Sequence, residues 1–212
     1  MAEHCERCFA NTLSYAGPTV TTSHRTAGAN KCHADQTVFL VLDLQQRLSD
    51  AMPSKVLNRV IVNATLLARA AGLLELPVLH VEQTPEVLGG THPTVVAALP
   101  RACVSFSKTA FSCCAAEGFN HTLGATQRRQ AVLVGMEAHV CILQSALDLN
   151  AQGLDVFVVE DAICSRRLEN YQNALDRLRQ AGVQVVSAES VVFEWLGDAN
   201  HPHFQAVQSL LR

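Results

Sequence analysis

From Thr37 onward, short runs of nearly unbroken apolar residues alternate with longer stretches in which apolar residues recur every three or four positions. The short runs are VFLVLD (38–43), PVLHVE (77–82), CVSF (103–106), AVLVG (131–135), DVFVVE (155–160) and VQVVS (183–187). Continuous apolarity over strand length predicts strands buried on both faces, as in a parallel sheet. Between them, Val56, Val60, Ala64, Leu67 and Ala71 keep helical spacing, as do Leu168, Tyr171, Leu175, Leu178 and Gly182. These segments predict amphipathic helices lying on the sheet. Gly72, Gly153 and Gly182 stand where each helix would stop before the next strand. The expected fold class is α/β: a three-layer, doubly wound, Rossmann-like sheet of about six mostly parallel strands with helices on both faces. The segment SAESVVFEWLGDANHPHF adds a short helix, a turn over Gly197 to Asn200 and a final helix with Pro202 near its start. Residues 1–36, rich in Ser, Thr, Asn, His and Gly and without periodicity, read as a flexible extension ahead of one domain over 37–212.

Composition narrows the function classes. Half of the 212 residues are apolar, enough for a core that needs no disulfide or metal support. Sixteen basic against 19 acidic residues give a net charge of -3 with no basic run, so no nucleic-acid footprint is visible. Charged residues or glycine interrupt every apolar run before the roughly 20 residues of a bilayer span. Eight cysteines with no signal peptide ahead of them read as reduced thiols in the cytoplasm. Arg7, Arg25 and Lys31 make mitochondrial import the alternative address, against which Glu3 and Glu6 count.

In sheets of this kind ligands gather at the carboxyl ends of the strands, which selects Asp43, Glu82, Gly135, Glu160 and Asp161 for inspection. Cys141 follows the fourth strand at the first turn of an apolar helix, where unpaired N–H groups and the helix dipole favour a thiolate. Asp43 ends an otherwise apolar strand and is placed to accept a thiol proton. Lys108, in FSKTAFSCC after the third strand, is placed to stabilise a thiolate or to pair with the carboxylate. Each residue also has a plainer role: Cys141 as a small buried hydrophobe, Asp43 as a cap, Lys108 as a solvated loop residue.

The segments FLVLDLQ, VEQTPEVLGGTHPTV, FSKTAFS, GMEAHVCIL, VVEDAICSR and GDANHPHF together resemble the isochorismatase-like cysteine hydrolases, over about residues 37–210. The resemblance implies an Asp, Lys and Cys triad at Asp43, Lys108 and Cys141. It also implies a nonproline cis peptide joining Met136 to Glu137, and an oxyanion hole from the Glu137 and Cys141 backbone amides, independent of the Glu137 side chain. The activity implied is cleavage of a C–N bond in a small molecule through a thioester, with no cofactor. Family members generally assemble as homo-oligomers, and the apolar FEWLG segment is a candidate contact surface. The enzyme that names the superfamily lacks the nucleophilic cysteine, which argues against isochorismate as substrate.

Other signals carry less. His80, Glu82 and His92 do not match the spacing of the metal cluster of the nicotinamidase branch, so no metal is expected. His201 and His203 flank Pro202 in a helix-start pattern, and Cys5 and Cys8 form one CxxC without a second pair. One of the adjacent Cys113 and Cys114 is expected to face the core. Phe111 is a candidate pocket-lining residue; His139 either lines the pocket or caps the helix. The competing function is a catalytically inactive assembly module. Ribonuclease activity has no basic patch or paired histidines behind it, and neither nucleic acid nor membrane is an expected partner.

Overall fold

Runs of Val, Ile, Leu and Phe favour the pleated backbone that lets branched side chains pack on both sides, and all six runs form strands. The computed structural model describes residues 31–211. Its strands are β1 (Thr37–Leu42), β2 (Val78–Gln83), β3 (Val104–Lys108), β4 (Gln130–Met136), β5 (Asp155–Cys164) and β6 (Gln184–Val186). They form one sheet in the order β3-β2-β1-β4-β5-β6, and every neighbouring pair is parallel. Helices α1 (Gln46–Asp50) and α2 (Ser54–Leu73) follow β1, and α3 (Pro85–Leu88) and α4 (Pro93–Val96) follow β2. Then α5 (Phe119–Ala125), α6 (Leu143–Ala151) and α7 (Leu168–Gln180) follow β3, β4 and β5, and α8 (Ala188–Leu196) and α9 (Phe204–Gln208) come last.

Alternation along the strands divides the interior into two cores. Phe39 and Val41 of β1 pack with Val60, Ala64 and Leu67 of α2 and Val191 and Trp195 of α8. Val38, Leu40 and Leu42 pack with Phe119 of α5, Leu143 and Leu149 of α6 and Leu178 of α7. The result is the expected three-layer arrangement, helices on each side of a central sheet. Among the described residues, only α2 is long and apolar enough to cross a membrane, and half of it is buried against this sheet. Alanines at four of its inward positions let it approach the strands closely, which is the composition of a core helix.

Several details depart from the sequence reading. Gly72 lies inside α2 rather than at its stop; the left-handed residue after that helix is Glu75. Gly153 and Gly182 do follow their helices with positive φ. Pro202 precedes the N-cap His203 and so stands ahead of α9. Of the FEWLG segment, Trp195 sits in the core edge-on to Phe39, with ring centroids 6.0 Å apart, and only Phe193 presents apolar surface outward. The chain is already packed at Cys32, which is buried and whose amide donates to Glu194 Oε2 at 2.6 Å. Arg7, Arg25, Cys5 and Cys8 lie outside the described residues.

The strand order reverses between β1 and β4, so the loops leaving these two strands diverge to opposite sides and open a crevice. Gly135 makes the close approach there possible. It has φ +140°, and a Cβ would fall 1.8 Å from the Leu42 carbonyl oxygen. No other residue fits so tightly beside the end of β1.

Candidate active site

Asp43, the first residue beyond β1, turns into the left-handed region at φ +54°, a conformation Asp tolerates better than most residues. Its amide donates to Val81 O at 2.9 Å, and its carboxylate is thereby set at the crevice, fully buried. Lys108 is the last residue of β3 rather than a loop residue, and β2 lies between it and β1. Its ammonium crosses to Asp43 Oδ2 at 2.8 Å with both side chains shut off from solvent. It also reaches Gln83 Oε1 at 2.7 Å and Cys141 Sγ at 3.6 Å. The three residues singled out in the sequence meet at one point, and the solvated-loop role for Lys108 is ruled out.

Cys141 does not occupy an ordinary helical turn. Residues Ala138–Ile142 form one π-helical turn that leads into α6. Within it, Glu137 O accepts from Val140 N at 3.0 Å and Ile142 N at 3.3 Å, with the Cys141 amide between them. Single π turns recur at functional sites because they re-aim one side chain without ending the helix. The Met136–Glu137 peptide is cis. The Glu137 side chain is held apart from that backbone role: its carboxylate accepts from Arg166 N at 2.9 Å and Arg166 Nε at 3.1 Å. That tie joins the loop after β4 to the loop after β5.

Electrostatically the site is a shared-proton pair beside a fixed cation. Burial pushes the Asp43 carboxyl above its ordinary range, opposed by Lys108 and by its contact with the thiol. Burial, then the Asp43 charge, pushes the Cys141 thiol up to about 12, again opposed by Lys108. Both causes favour the protonated thiol while Lys108 favours the thiolate, so a carboxylate beside the sulfur is the group positioned to accept its proton. Asp43 Oδ1 is buried without a nitrogen or oxygen donor, and it is the oxygen left to take a proton.

Gln83 and Gln45 are the residues that sequence reasoning missed, although both lie inside segments it quoted. Gln45 Oε1 accepts from Gln83 N at 2.8 Å, and Gln45 Nε2 donates to Gln83 O at 3.0 Å and Gly89 O at 2.7 Å. A cleft of about 260 Å³ lined by Thr84, Glu86, Lys108, Thr109 and Glu117 opens beside Lys108. A larger cavity of about 890 Å³ lies along α2, and Asp43, Lys108 and Cys141 do not line it.

The other candidates make contacts of their own. His139 is held by Asn170 Nδ2, 3.3 Å from its Nε2, which leaves Nδ1–H to donate to Ser165 Oγ at 2.9 Å. Phe111, half exposed, stands in the loop after β3. His80 spends both ring nitrogens on hydroxyls, Ser105 at 3.1 Å and Thr91 at 2.6 Å, while Glu82 accepts from Thr91. His92 Nδ1 accepts from Thr94 N. Glu160 and Asp161 lie within β5, which runs on to Cys164; Glu160 faces Arg179 at 3.5 Å, and Asp161 caps α8 through Ala188 N. Cys113 is the member of its pair that faces the core.

The model of the isochorismatase domain matches residues 37–190. Isochorismatase domain-containing protein 2 of Bos taurus is 35% identical over 177 residues, 83% of this chain and 83% of that protein. Isochorismatase domain-containing protein 1 of Salmo salar is 36% identical over 176 residues, and the match spans only 61% of that longer protein. Among solved structures, the MAR1 ribonuclease of Caenorhabditis elegans superposes with a TM-score of 0.81 at 34% identity, covering 85% of this chain and 92% of that one.

Proposed function

The chain belongs to the isochorismatase family, a family of hydrolase folds, and from that premise we propose that it cleaves a C–N bond of a small-molecule amide, ureide or carbamate through a Cys141 thioester. Asp43 takes the thiol proton and Sγ attacks the carbonyl carbon. The backbone N–H groups of Glu137 and Cys141 hold the oxyanion. The amine leaves with the proton from Asp43; a water that Asp43 deprotonates then attacks the thioester, and the acid departs as sulfur regains its proton.

The observation that carries this reading is one buried ammonium within 2.8 Å of the carboxylate and 3.6 Å of the sulfur. When the proton passes from Sγ to Asp43, the negative charge moves the other way, and Lys108 faces it at both ends. Little reorganisation is needed, which is what a preorganised site supplies. A screen of amides, ureides and carbamates should give turnover with wild type and none with Cys141→Ala. Equal turnover in both rejects the reading, and no turnover in either, with Cys141 alkylating no faster than Cys164, favours an inactive assembly module. The Caenorhabditis elegans neighbour carries a ribonuclease name. With a net charge of -3 and the site lysine neutralised by Asp43, RNA is a poor substrate here; RNA hydrolysis that survives Cys141→Ala would place that activity elsewhere on the chain. Homo-oligomerisation belongs to the same proposal, with Phe193, the outward apolar residue of the FEWLG segment, as the candidate contact.

A further inference from the structure

We infer that Gln83 is a positioning residue that aims the third N–H of Lys108 at the Cys141 sulfur. The inference rests on Cys141 being the reactive thiol.

The orientation of the Gln83 amide follows from chemistry alone. Thr109 O can only accept, so the group 2.6 Å from it is Nε2, which also donates to Thr84 Oγ1 at 3.3 Å. Both amide hydrogens are thereby used, and Oε1 has to face the other way, where it accepts from Lys108 Nζ at 2.7 Å, with the Cys141 thiol a far more distant donor at 4.0 Å. The backbone on either side of this side chain is held by Gln45, which binds both Gln83 N and Gln83 O. Gln83 is buried and cannot trade these partners for water.

A lysine ammonium has three hydrogens and no acceptor. One is bound by Asp43 Oδ2 and one by Gln83 Oε1, so tetrahedral geometry sends the third along the only remaining contact, toward Sγ at 3.6 Å. Without the Gln83 oxygen, the ammonium is free to swing a second N–H onto Asp43 Oδ1, which has no donor of its own. That move would satisfy the carboxylate at the expense of the sulfur and would block the oxygen that receives the thiol proton. Gln83 therefore does two things through Lys108: it favours negative charge on sulfur, and it keeps Asp43 Oδ1 open.

The measurement is the alkylation rate of Cys141 by iodoacetamide, read by peptide mapping between pH 7 and 10, with thermal melting in parallel. Gln83→Leu is expected to lower the rate at a given pH about tenfold, equivalent to one unit in the thiol pKa. Gln83→Glu, which keeps the shape but adds a competing charge beside Lys108, is expected to lower it further. A purely structural role would lower the melting temperature and leave the pH profile of the surviving folded protein unchanged. Wild-type rates and pH dependence in folded Gln83→Leu overturn the inference; if that variant does not fold, wild-type rates in Gln83→Glu overturn it. Hydrolysis is scored separately, so turnover surviving in Cys141→Ala rejects the proposed function while the alkylation result stands.

Discussion

Asp43 has one carboxylate oxygen committed to Lys108 and one without a donor, and that asymmetry separates the consequences of changing each partner. Asp43→Asn keeps the shape and gives Lys108 an amide oxygen, so the fold should persist while turnover falls by roughly 10²–10⁴, the usual contribution of a positioned base. Lys108→Met strands a buried carboxylate. It should abolish turnover and also cost about 3–5 kcal/mol of stability, as breaking a buried pair from one side does. Denaturant melts beside activity measurements separate the two patterns; equal stability losses would contradict the assigned roles. Asp43, Lys108 and Cys141 could be named together from the sequence because the segments that carry them resemble those of one family, whereas each residue alone also fitted a plainer role. Gln83 was hidden by an end-of-strand error of one residue. With β2 ending at Glu82, inspection fell on a side chain of the opposite face, since successive residues of a strand point to opposite sides. Glu82 binds Thr91 on one face, while Gln83 meets Lys108 on the other.

At the scale of elements, the crevice depends on how closely β4 can approach the end of β1. Gly135→Ala would drive a methyl group into the Leu42 carbonyl and impose a side chain on a backbone at φ +140°. It should cost on the order of 3 kcal/mol and pull Asp43 away from the turn that carries Cys141, so melting temperature and turnover fall together. Wild-type stability in this variant would show that the strands separate freely, contrary to the packing described. All six strands were legible because continuous apolarity is a strong signal. The π turn over 138–142 was not, because its i→i+5 bond to Ile142 leaves no mark in residue spacing. Trp195 was read as surface because composition does not say which side of α8 meets Phe39.

Across the whole molecule, burial of the Cys141 thiol beside Asp43 favours its protonated form, which ties stability to pH. Burial and the Asp43 charge push the Cys141 thiol up to about 12 in the folded chain from its ordinary 9.0. Above pH 9 the unfolded chain releases this proton while the folded chain retains it, so the wild type loses stability as pH rises through that window. Cys141→Ala lacks the effect, and its melting temperature should gain on that of the wild type between pH 9 and 11. A constant difference across that range would mean that burial does not control the thiol.

The proposed reaction passes through a covalent bond between the Cys141 sulfur and the acyl group. Intact-mass spectrometry and peptide mapping during turnover of a slowly hydrolysed aryl carbamate test it most directly. A single acyl adduct on Cys141 that appears and decays with product release, and is absent from Cys141→Ala, is the expected result. Product formation at the wild-type rate in Cys141→Ala, with no adduct on Cys141 in either protein, would contradict it.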